Sequence, residues 1–124
     1  MNALVKPITW IFGIVFLLIG VAGFFMSSPL LGLYAVDTNH NVVHLLSGIV
    51  ALIAAGSGDM YARWYLILFG IVYALVTILG FMEGTGTVLG LITVNPADNY
   101  LHAAIAAVAL VIGFGSAAGA SRSY

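Results

Sequence analysis

Four apolar stretches decide what this chain can become. They cover about residues 8 to 26, 42 to 57, 64 to 82 and 99 to 117, and none contains Asp, Glu, Lys or Arg. At a rise of about 1.5 Å per residue, some 19 residues cross roughly 28 Å, close to the hydrocarbon thickness of a bilayer. Charged residues make up only 6% of the 124 residues and the mean hydropathy is +1.18, whereas about 25% of a soluble domain is charged. The expected fold class is therefore all-α: an integral membrane four-helix bundle, one transmembrane domain over residues 1–124. The second stretch is the shortest and must borrow polar residues upstream. Lys6 precedes the first stretch as in a secretory signal, but the apolar run exceeds a signal core and lacks a small-x-small cleavage site, so it is expected to be retained.

The few charges set an expected orientation. Lys6, Arg63 and Arg122 lie before the first span, between the second and third, and after the fourth, which is one side of a four-span chain. The positive-inside rule makes that side cytoplasmic, with both termini inside a cell membrane. The longer connections, residues 27 to 41 and 83 to 98, then face outward with Asp37, Glu83 and Asp98 and no cation. A net charge of -1 with scattered cations offers no face to nucleic acid. The absence of cysteine removes disulfides, thiolate metal sites and thiol nucleophiles together.

The sequence also repeats. "FGIVFLLIGVAGFF" (12 to 25) matches "FGIVYALVTILGFM" (69 to 82) at seven of fourteen positions, and "LGLYAVDTNHNVVH" (31 to 44) matches "LGLITVNPADNYLH" (89 to 102) at six of fourteen. Such self-similarity is the mark of a duplicated unit. Two tandem two-helix repeats are expected, about 8–58 and about 64–117, related by an axis along the membrane normal. His44 then pairs with His102, Asn41 with Asn99, and His40 with Asp98. The matched glycines Gly13 with Gly70 and Gly23 with Gly80, and the small-residue faces of the second and fourth spans, are expected to let helices approach closely.

Two registers are open for the second and fourth helices. Asn41 and Asn99 are good N-caps, with His44 and His102 three residues on. Asp37 and Asn95 are also good caps, four residues earlier. The longer register is preferred: Pro96 would take the first helical position, Asp98 would face the positive end of the dipole, and the second helix would gain its missing length. It also makes His40 and His44, and Asp98 and His102, neighbours at i, i+4. If the two faces meet, His40, His44, Asp98 and His102 form a four-ligand set suited to zinc or another divalent metal. A haem held by His44 and His102 is a further alternative. The plainer alternative is a cluster of caps and interhelical hydrogen bonds at headgroup level, with no cofactor.

Other features carry less. The "GTGTVLG" segment lacks the lysine of a phosphate loop and reads as an outer turn. Asp59 and Arg63 are spaced to pair at the inner interface, and Trp10, Trp64, Tyr61 and Tyr65 read as interfacial anchors. Thr9, Ser47 and Thr77 have no base within a span to activate them, which speaks against an enzyme and against ion-coupled transport.

The elements "FGIVFLLIGVAGFF", "HNVVHLLSG" and "NPADNYLH" together resemble a family of small bacterial four-span membrane proteins known as domain of unknown function family 4383. The resemblance extends from about residue 7 to 117, with "HAAIAA" after His102 departing from the family's usual "HLLLG". It implies an integral membrane protein and brings no activity or catalytic residues. The expected function is a structural or accessory membrane protein, with the lipid bilayer as partner and a homo-oligomer or other membrane proteins as further partners. The alternatives are an outer-face metal-binding or haem-binding redox protein, or a passive carrier of small solutes.

Overall fold

The computed structural model describes residues 2–83 and 86–120. Four helices follow one another, α1 (Asn2–Phe25), α2 (Thr38–Ser57), α3 (Asp59–Glu83) and α4 (Pro96–Ala120), with two short strands, β1 (Gly86–Val88) and β2 (Ile92–Val94), between the last two. All four helices are long and apolar enough to cross a membrane. The physical reason is that a helix satisfies its backbone N–H and C=O groups within itself, which a segment in hydrocarbon must do. Large apolar side chains such as Leu18, Phe25, Ile53 and Leu75 stand exposed around the bundle, as lipid contact requires. The protein is an all-α integral membrane four-helix bundle.

α1 packs on α2 and α3 on α4 as two close antiparallel pairs, and the pairs meet across a thinner seam. Close approach within a pair depends on small residues. A Cβ on Gly48 of α2 would stand 2.7 Å from the Leu17 backbone nitrogen and 2.9 Å from the Gly13 carbonyl oxygen of α1. Ala51, Ala55, Ala62 and Ala109 are wholly buried inside the bundle. Small side chains of this kind exchange hydrophobic bulk for backbone proximity, the main source of helix adhesion in lipid.

Aromatic rings fill the axis between the pairs. Phe16 of α1 stacks on Tyr73 of α3 at 5.2 Å between centroids, and Tyr65 stacks on Phe69 at 4.3 Å. Tyr65, expected as an interfacial anchor, is instead a core residue, 3% exposed, whose hydroxyl donates to the Ser47 carbonyl oxygen at 2.9 Å. The difference arises because a tyrosine near a helix end can turn inward wherever a carbonyl accepts its hydroxyl. Trp10, Tyr61 and Trp64 do stand exposed.

The ends of the bundle differ. At one end α2 passes into α3 through Gly58 alone, whose φ of +138° only glycine adopts readily. At the other end lie the two long connections. In the second, β1 and β2 pair antiparallel, and Leu91 N donates to Val88 O at 3.0 Å around Leu89 (φ +55°) and Gly90 (φ +70°). In the first, Leu33 N donates to Leu30 O at 3.0 Å around Leu31 (φ +55°) and Gly32 (φ +73°). Both "LGL" segments thus make the same turn. Leu30, Val36, Val88 and Val94 point inward and close this end. The hairpin was not anticipated from "GTGTVLG", since a three-residue strand carries too little alternation to stand out.

Candidate metal centre

The helix starts locate the candidate residues. α2 begins at Thr38 with Asp37 as its N-cap, Asp37 Oδ1 accepting from His40 N at 2.7 Å. α4 begins at Pro96, and Asn95 Oδ1 accepts from Asp98 N at 3.0 Å while Asp98 Oδ2 accepts from Asn95 N at 3.0 Å. This is a reciprocal capping box, which occupies the N-terminal donors of the helix. The longer register is the one adopted. Asn41 and Asn99 therefore lie inside the first turn and cap nothing.

The two connections are stitched to one another across the bundle. Asp37 Oδ2 accepts from Thr93 N at 2.9 Å and from the Thr93 hydroxyl at 2.6 Å. Asn39 Nδ2 donates to Leu91 O at 3.0 Å, and Asn95 Nδ2 donates to Leu33 O at 2.8 Å. Partial burial alone would raise the Asp37 pKa, but the donors from Thr93 and His40 outweigh it and hold the carboxyl below its ordinary 3.8. Both connections thus act as one rigid cover over the helix starts.

Beneath that cover the three histidines of the chain meet. His40, His44 and His102 are 1%, 3% and 1% exposed, and one ring nitrogen from each lies within 4.8 Å of the others. Ring centroids are 4.4 Å apart for His40 and His44, 5.6 Å for His40 and His102, and 6.2 Å for His44 and His102. His40 Nδ1 donates to the Thr93 carbonyl at 2.8 Å, which leaves Nε2 as the lone-pair nitrogen. That nitrogen, His44 Nδ1 and both nitrogens of His102 are buried without a hydrogen-bond partner. A buried polar group in that condition costs about 1–3 kcal/mol, and four in one place form a set that a bound ion or ordered water would satisfy.

Asp98 does not join them. Among the described residues the convergent group consists of the three histidines, and the Asp98 carboxylate, although 1% exposed, is turned back to the helix start. Its Oδ2 is taken by the Asn95 N–H of the cap, and the carboxylate is not among the groups that converge. Asn41 and Asn99 face elsewhere again: each Oδ1 stands where a Cβ of Gly23 or Gly80 would be, and neither oxygen has a hydrogen-bond partner.

Residues that sequence reasoning passed over complete the surroundings. Thr93 orients both His40 and Asp37, and the Tyr73 hydroxyl pairs with the Ser47 hydroxyl at 2.9 Å. Tyr73 aligns with Phe16 in the sequence repeat, so the added hydroxyl was a readable departure; Thr93, aligned with Ala35, was another. Phe16 and Tyr73 pack beside the rings of His44 and His102 at 5.7 and 5.4 Å. A cavity of about 270 Å³ opens between α2 and α3 and reaches all three histidines.

No match to the chain was found among curated proteins or among solved structures. The profile of one family, described as domain of unknown function (DUF4383), matches residues 6–115. Nearly the whole bundle, histidines and caps included, lies inside that match, and the chain belongs to the DUF4383 family.

Proposed function

We propose that this protein is an integral membrane metal-binding protein whose ligands are His40, His44 and His102, at the outer face of the cell membrane. The observation that carries it is the convergence of three buried imidazoles, one nitrogen of each within 4.8 Å of the others. Three neutral imidazoles suit zinc, copper or iron, and their number leaves a coordination position open. Nitrogens bound to one tetrahedral zinc stand roughly 3.3 Å apart, so binding would draw the three rings closer together. The Thr93 carbonyl on His40 Nδ1 is the second partner that a ligating histidine ordinarily has. Asp98 serves this site by fixing the start of α4, one turn before His102.

The other readings draw less support. A porphyrin between His44 and His102 would displace Phe16 and Tyr73, which stack on each other beside those rings. The same stacked pair fills the axis that a passive carrier would need. The small-residue faces through which an accessory protein would bind its neighbours are spent inside the bundle, at Ala51, Ala55, Ala62 and Ala109. A duplicated origin is supported by matched backbone: Leu31 with Leu89 and Gly32 with Gly90 share positive φ values, and Gly23 with Gly80 share the asparagine contact.

Elemental analysis of protein purified in mild detergent without chelator tests the proposal. One zinc, copper or iron per chain is expected, with loss in His40→Leu and His102→Leu variants and retention in Asp98→Asn. A stoichiometry near zero after reconstitution with each metal would retire it.

A further inference from the structure

A histidine ligates a metal through one nitrogen. His102 has two, both buried and both without a partner. Whichever of them takes the ion, the other carries a proton with no acceptor in the protein. The inference that follows deepens the metal-site proposal and rests on it for which donor is spare.

The cavity between α2 and α3 determines what can supply that acceptor. Its rim is apolar and faces lipid: Leu46 is 56% exposed and Val72 49%, and Val43, Val76 and Ile92 continue the wall. Its floor holds the histidines, the paired hydroxyls of Ser47 and Tyr73, and the ring of Phe69. A ligand that fits must enter from hydrocarbon, bring acceptor oxygens, carry no charge and offer a flat face to aromatic rings. At about 270 Å³ the cavity takes a ring head and leaves any tail outside, since whole drug-sized ligands fill roughly 300–1,000 Å³. A fatty acid fails on charge and a phospholipid on bulk.

We propose that this crevice binds the head of a lipophilic quinone, with one carbonyl oxygen accepting from the spare His102 nitrogen and the ring lying against Phe69 and Tyr73. The tail leaves between Leu46 and Val72 into the bilayer.

The test is equilibrium binding of decylubiquinone, and in parallel a short-tailed naphthoquinone, to the full chain in nanodiscs. Saturable binding of one quinone per chain is expected. Val72→Trp, which fills the mouth from an exposed position, should weaken it at least tenfold, as should His102→Leu. Leu75→Trp, also on the lipid face of α3 but outside the crevice, should leave it unchanged and so controls for folding. Binding that does not saturate, or that is equal in Val72→Trp, overturns the site. Equal affinity in His102→Leu overturns the donor. A phospholipid retained at one per chain and not displaced by quinone assigns the crevice to lipid and overturns the proposal. Metal content of the same samples separates the two ideas: metal-free protein that binds quinone retires the metal alone, and metal-loaded protein that binds none retires the quinone alone.

Discussion

Two asparagine oxygens illustrate how this protein uses absent side chains. Asn41 Oδ1 faces the Cα of Gly23, and Asn99 Oδ1 faces the Cα of Gly80. Neither has an ordinary donor, so a Cα–H contact of the weak kind takes its place, and it recurs in both helix pairs. A methyl group at either glycine would occupy the space of the oxygen. Gly23→Ala and Gly80→Ala should therefore each destabilise the bundle by about 1–3 kcal/mol, the range for overpacking a filled interior. Thermal unfolding in detergent measures this, and Asn41→Ala added to Gly23→Ala should recover part of the loss. Equal stability of Gly23→Ala and the parent would show that the asparagine has room to turn away. These contacts were only half legible: the matched glycines stood out in the repeat, but which side chain each one admits depends on how the helices cross.

At the level of the helix, the caps connect local sequence to the site. Asp37 ends the first connection, starts α2, and through Thr93 holds the second connection over the histidines. Replacing it with alanine should cost about 1 kcal/mol from the cap alone. Because its folded pKa lies below the ordinary 3.8, the stability it adds is fully present above 3.8 and is lost as the pH falls through the lowered value. The stability gap between the parent and Asp37→Ala should accordingly hold steady at pH values well above 3.8 and shrink as the pH falls below 3.8, read from melting curves on both sides of that value. A constant gap would mean that the carboxylate charge contributes nothing. The cap itself was readable from "AVDTNH" because capping is a local event, decided within four residues. The bonds to Thr93, 56 positions away, were not. Asp98 shows the same limit in reverse: its spacing from His102 is that of a ligand pair, yet local capping takes its carboxylate first.

Over the whole molecule, orientation in the bilayer is the property that assigns the site to a compartment. Two of the cations expected to face the cytoplasm, Lys6 near the start of α1 and Arg63 in the first turns of α3, lie toward the Gly58 end, opposite the histidine cover, and Arg122 lies outside the described residues. The chain has no cysteine, so single cysteines report without background. Asn39→Cys, exposed in the cover, should react with a membrane-impermeant maleimide on intact cells, and Ser57→Cys, exposed beside Gly58, only after lysis. The opposite pattern would place the site inside. By itself the sequence determined the four helices, because length and apolarity suffice to put a segment in lipid. It also favoured the caps at which α2 and α4 begin, because caps act locally, while leaving the shorter register open. Only the tertiary structure decided that three histidines meet while Asp98 turns away, that Tyr65 enters the core, and that a crevice opens beside His102. Those outcomes depend on the rotation of each helix about its axis, and that rotation is set by glycines and aromatic rings packing across the bundle, between residues far apart in the chain.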